Sequence, residues 1–160
     1  MFNIFKKKKS LELMSPMTGT VISIDQVPDQ VFSGKMIGDG AGVVPTKGSV
    51  VAPCNGTISQ IFPTNHAIGI ETEEGLEILI HIGIDTVELK GEGFKRLLEP
   101  GTKVSVGDAI VDVDLDFLKS KGKELATPVV VTNMDKVEKI DVVETSCLAG
   151  KSKIITVYMN

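Results

Sequence analysis

Turn-forming residues recur along this chain too often to leave room for many helices. Sixteen glycines and seven prolines are spread through 160 residues. Between them lie short runs rich in β-branched residues, at 21–24, 43–44, 58–61, 109–113, 128–132 and 154–158. Runs of that length, bounded by Gly, Pro and Asp, read as strands. The expected fold is all-β: an antiparallel β-sandwich or barrel-like, duplicated motif with one or two short helical turns. Those turns are expected at 93–98, ending before Pro100, and at 116–123 with Asp116 as N-cap.

A weak repeat supports a duplicated motif. Ser15-Pro16-Met17-Thr18-Gly19-Thr20-Val21-Ile22 resembles Ala52-Pro53-Cys54-Asn55-Gly56-Thr57-Ile58-Ser59, and Met36-Ile37-Gly38-Asp39 echoes Ser105-Val106-Gly107-Asp108. Pro-x-x-Gly-Thr suits a turn leading into a β-branched strand. Two copies are too few for a solenoid, so a β motif closing on itself is expected.

Length favours a single domain over 11–160 after a flexible N-terminal tail at 1–10. The tail, MFNIFKKKK, sets Phe2, Ile4 and Phe5 before four lysines, the reverse of a secretory signal. Its two readings are a weak membrane-surface contact and a solvated tail; three apolar side chains bury little, which favours the second. Net charge is −4 and aromatics are 4%, which argues against nucleic-acid binding. No apolar run approaches the ~20 residues of a membrane span. Cys54 and Cys147 form no CxxC and are expected to be free thiols, consistent with a cytoplasmic location. Arg96 is the only arginine, so a phosphate site here lacks the usual guanidinium clamp.

The chemistry is expected in the stretch 64–94, which holds both histidines, His66 and His81. Imidazole is the side chain best suited to nucleophilic or proton-transfer work near neutral pH. HAIGIET and LEILIHI read as two strands joined by Glu73-Glu74-Gly75. If residue 72 faces 75, His66 and His81 are directly opposite, ~5 Å apart at Cβ, with Ile68 and Leu79 as the next pair on that face. A three-residue loop is equally allowed, so the register stays open. Thr64 shares a face with His66 in an extended segment and could select its protonated nitrogen. Asp85 and Glu88 follow His81 closely. Gly83 and Gly91 could let backbone N–H groups approach an anion.

These motifs, TNHAIGIE and LIHIGIDTVELKGEGF, together with Val27-Pro28-Asp29, Met36-Ile37-Gly38-Asp39-Gly40 and Thr127-Pro128-Val129-Val130, resemble the glucose-type IIA phosphocarrier domain of the bacterial sugar phosphotransferase system. The resemblance covers about residues 12–158. It implies a phosphotransferase component in which His81 accepts the phosphoryl group and His66 assists. It implies HPr as donor and a sugar-permease IIB domain as acceptor, with Asp85 orienting an imidazole or a partner's arginine. A shallow docking face is then expected, for which Phe32, Phe62, Ile68, Leu79 and Glu88 are candidates. No cofactor is required.

Two other classes compete. A zinc hydrolase needs three protein ligands, and two histidines with Asp85 fit that poorly. His66 and His81 could still share a zinc ion with a partner's carboxylate in a complex, as a regulatory module of the same fold would. A swinging-arm carrier needs Met-Lys-Met at a hairpin tip, and none occurs.

Overall fold

The structure is a computed structural model that describes residues 9–160. The apolar and basic residues of the tail, Phe2 to Lys8, lie outside the described residues, and so does the expected membrane contact. In chain order the strands are β1 (Ser10–Met14), β2 (Gly19–Ser23), β3 (Asp39–Pro45), β4 (Ser49–Val51), β5 (Gly56–Ile61), β6 (Ala67–Thr72), β7 (Glu77–His81), β8 (Phe94–Arg96), β9 (Lys103–Val104), β10 (Ala109–Val113), β11 (Thr127–Val131), β12 (Val137–Val142), β13 (Ser146–Cys147) and β14 (Lys153–Met159). Among the described residues, two short helices, α1 (Gln30–Ser33) and α2 (Leu115–Ser120), complete the regular elements with three 3-10 turns. The expected all-β fold is therefore what forms. Its large sheet runs β13-β2-β3-β11-β7-β6-β5-β9, flanked by β1-β14-β12 and β4-β10-β8, with antiparallel pairing.

The repeat is structural. Each Pro-x-x-Gly-Thr bends into a strand that starts at its glycine, β2 at Gly19 and β5 at Gly56. Each Gly-Asp leads into another, β3 at Asp39 and β10 at Ala109. Two local expectations fail. Residues 94–96 form β8, paired with β10, because ladder bonds satisfy their backbone better than one isolated helical turn. Helix α2 is capped by Asp114, not Asp116: its carboxylate accepts from the Phe117 N–H at 3.0 Å, and Asp116 sits in the first turn.

The hairpin of β6 and β7 takes the three-residue loop. Thr72 and Leu76 close it through Thr72 N–H to Leu76 O at 2.9 Å, and Gly75 adopts φ 90°. Ala67 then faces His81, Ile68 faces Ile80 and Ile70 faces Ile78. The directly opposed histidine register is therefore replaced by one shifted by a residue. The reason is burial. This shift puts Ile68, Ile70, Ile78 and Ile80 on one face, in the main core, whereas the other would have split them between faces. Ile68 is thus fully buried core and not docking surface.

The opposite face of the sheet carries Leu79 and His81. Over it lie the 3-10 turn Ile24–Gln26 and α1, which close a second, smaller core of Ile24, Val27, Phe32, Ile84 and Val130 against Ile22 and Leu79. Strand β11 is buried along its whole length because it serves both cores, Val129 and Val131 in one and Val130 in the other. The second core ends at the His81 ring.

Candidate functional site

His81 is the last residue of β7 and His66 immediately precedes β6. Although not cross-strand partners, they come together because His66 lies just outside β6, after the left-handed Asn65, and their ring centroids lie 5.0 Å apart at an interplanar angle of 81°. Phe32 packs at 5.1 Å from His81, and Phe62 stands edge-on to His66 at 5.4 Å. Four rings thus form one row, with the two imidazoles in the middle.

Each imidazole has one nitrogen engaged. His81 Nδ1 lies 2.8 Å from Gly83 O. A carbonyl only accepts, so Nδ1 carries the proton and Nε2 presents a lone pair. Gly83 holds that carbonyl in place with a left-handed φ of 74°, and a Cβ there would meet Thr86 Cγ2 at 2.6 Å. Its N–H donates to Thr127 Oγ1 at 3.3 Å. The expectation that Gly83 offers an N–H to an anion therefore fails: its N–H is spent on Thr127, and its functional group is the carbonyl. Thr64 Oγ1 lies 2.5 Å from His66 Nδ1; the expected contact forms, although through a turn with Asn65 left-handed and not through an extended segment.

Electrostatics keep the pair uncharged at neutral pH. Burial, then the charge of His81, lowers the His66 pKa from 6.5 to about 4. Burial also lowers that of His81, opposed by the Gly83 bond and the carboxylates of Asp29 and Asp85. Both histidines therefore resist protonation in the folded state more than in the unfolded chain. Below pH ~6.5 the unfolded chain binds protons that the folded one refuses, so stability falls as pH drops through that value toward about 4. We expect urea midpoints to decline from pH 7 to pH 4.5 with a shallower slope in His66→Gln, which has one fewer such group. Equal slopes would show that His66 is not shifted.

The remaining candidates divide. Asp85 is exposed, at φ 58° before the 3-10 turn Thr86–Leu89; its side chain makes no cap bond, which leaves the carboxylate facing solvent near His81. Glu88 is ion-paired with Lys123 and exposed. Phe62 is exposed and Leu79 half-buried, as a docking face needs, but Phe32 is 4% exposed and belongs to the second core. Val31 of α1 and Val87 of the 3-10 turn are exposed apolar side chains that sequence reasoning missed. Asp29 was missed as well. It caps α1 by accepting from the Val31 N–H at 2.8 Å and lies close enough to His81 to favour its charged form. The signal was present in Asp29, three residues before Phe32, but only folding brings α1 over β7. Among the described residues, no three His, Cys, Asp or Glu side chains are grouped to hold a metal ion.

Residues 11–137 match the family described as phosphoenolpyruvate-dependent sugar phosphotransferase system, EIIA 1. The chain belongs to that family. This EIIA chain is 45% identical over 157 residues to the glucose-specific EIIA component of Buchnera aphidicola subsp. Acyrthosiphon pisum, covering 98% of each. It is 42% identical over 154 residues to the glucose-specific EIIA component of Staphylococcus aureus (strain Mu50), covering 96% of this chain and 93% of that one. Its fold superposes on glucose permease IIA from Mycoplasma capricolum with a TM-score of 0.84 at 37% identity, over 92% of this chain and 96% of that one. This EIIA chain is thus a phosphotransferase-system component of the glucose type. No helix among its described residues is long and apolar enough to cross a membrane.

Proposed function

We propose that this EIIA chain carries a phosphoryl group on His81 Nε2, receiving it from the phosphohistidine of HPr and passing it to a sugar-permease IIB domain. The observation that carries this reading is the tautomer of His81. Its Nδ1 proton is held by Gly83 O, so Nε2 is the free nucleophile beside a second imidazole. Nε2 attacks phosphorus as the donor's P–N bond breaks, and the donor imidazole leaves with the electron pair. The His81 ring, retaining its Nδ1 proton, becomes positive, and the Gly83 carbonyl stabilises that charge. Depressed basicity keeps both rings neutral before the reaction.

His66 assists. If the Thr64 hydroxyl donates to Nδ1, the His66 proton sits on Nε2, from where it can donate to a phosphoryl oxygen. No cofactor enters this chemistry, which rests on positioning and charge stabilisation. Exposed Phe62, Val31 and Val87 supply apolar docking area, and Asp85 supplies a carboxylate for a partner's basic group.

The test is incubation with phosphoenolpyruvate, HPr and the enzyme that passes phosphoryl from phosphoenolpyruvate to the HPr histidine. We expect one acid-labile, base-stable phosphoryl group per chain, discharged on addition of a glucose-type IIB domain. A chain that takes up label but discharges it to no IIB domain would support a regulatory role instead.

A further inference from the structure

Arg96, the only arginine, does not approach the histidines as a phosphate clamp. It ends β8, and its guanidinium reaches across to the loop that delivers His66. Nε donates to Asn65 Oδ1 at 2.8 Å and one terminal nitrogen to Phe62 O at 3.2 Å, while the other pairs with Glu99 at 3.0 Å. Asn65 is held at φ 61°, left-handed, and its N–H closes the turn on the same Phe62 O at 2.7 Å. Asparagine is one of the few side-chain-bearing residues that takes this conformation readily, and here its amide is also the handle that Arg96 grips. The guanidinium therefore spans both ends of the turn 62–65. The next residue is His66, and Thr64, which bonds the His66 ring, lies inside the turn.

We propose that Arg96 is a positioning residue for phosphoryl transfer, fixing the turn 62–65 and through it the ring orientation and tautomer of His66. This rests on the reading of His66 as the assisting imidazole. The geometry demands a planar fork. Two acceptors, one a side-chain amide and one a backbone carbonyl, are engaged by separate nitrogens in one plane, which the single ammonium of lysine cannot reproduce. The exposed Glu99 pair steadies the fork and adds little energy of its own. Asn65 and Phe62 are the residues through which the effect passes, so loosening either end has the same consequence as removing Arg96.

The experiment uses Arg96→Lys, which keeps the charge, and Asn65→Gly, which keeps the left-handed turn but removes the handle. In the unphosphorylated proteins, nitrogen-15 imidazole spectra report the His66 tautomer. We expect one Nε2–H form in wild type and a mixture in both variants. Quench-flow rates should show onward transfer to a IIB domain slowed ~10-fold, with acceptance from phospho-HPr within ~2-fold of wild type, as expected for a misplaced assisting group. The double variant should be no slower than Arg96→Lys alone, because the contact with Asn65 is already lost in it. Wild-type tautomer and wild-type transfer in both variants, with or without a lowered Tm, would reduce Arg96 to a structural brace and overturn the proposal. Failure of the His66 reading has a different signature: His66→Gln transfers at the wild-type rate while the variants still shift the tautomer.

Discussion

His81→Ala should fold and take up no phosphoryl group from phospho-HPr. The substitution removes Nε2, the ring nitrogen that keeps its lone pair when Nδ1 donates to Gly83 O, beside a second imidazole. His66 is a poor substitute. Its Nδ1 is bonded to Thr64, and the ring is 3% exposed, so in-line attack on a partner's phosphorus is blocked. The fold should survive because His81 lies at the end of β7 and outside both cores. Mass spectrometry of the intact protein after exposure to phospho-HPr decides the matter: wild type gains one phosphoryl and the variant none. Full labelling of His81→Ala would assign the acceptor elsewhere.

The second large effect is kinetic. His66→Gln should still be labelled at His81, because glutamine keeps an N–H donor and the nucleophile is untouched. Onward transfer should slow by ~10²-fold, the usual cost of losing one preorganised donor. The glutamine amide cannot reproduce the edge-on placement of the imidazole, which Phe62 on one side and His81 on the other hold in position. Separate quench-flow rates for acceptance and transfer separate the roles. Unchanged transfer would leave His66 a bystander. Lost acceptance in a folded protein would mean that the two histidines had been assigned each other's roles.

Much of the hairpin register could have been read from the chain. Ile68, Ile70, Ile78 and Ile80 fall on one face when 68 pairs with 80 but not when it pairs with 79, and Gly75 suits the left-handed end of a three-residue loop. The histidine spacing left two pairings open, and the isoleucine pattern decides between them, since burying four isoleucines outweighs one polar contact. The opposed pairing is the one that made Ile68 look like surface. Phe32 was ambiguous for a different reason: nothing local to 30–33 says that α1 will lie over β7.

By itself the sequence determined the β architecture, the Pro-x-x-Gly-Thr repeat and the identity of the two imidazoles, because strand content, turn chemistry and side-chain reactivity are set by residues next to one another. The contact of Thr64 with His66 was expected from an extended segment, but it forms across a turn in which Asn65 is left-handed. Tertiary structure decided everything that sets how those imidazoles behave. The His81 tautomer depends on Gly83, whose own N–H is anchored by Thr127 on β11, 44 residues away. The turn before His66 depends on Arg96, 31 residues after the asparagine it grips. The depressed basicity of both rings comes from burial against each other and, for His81, against Phe32 of the second core. Hydrogen bonds and desolvation act over a few ångströms of space, and only the closed sheet brings these distant segments that near.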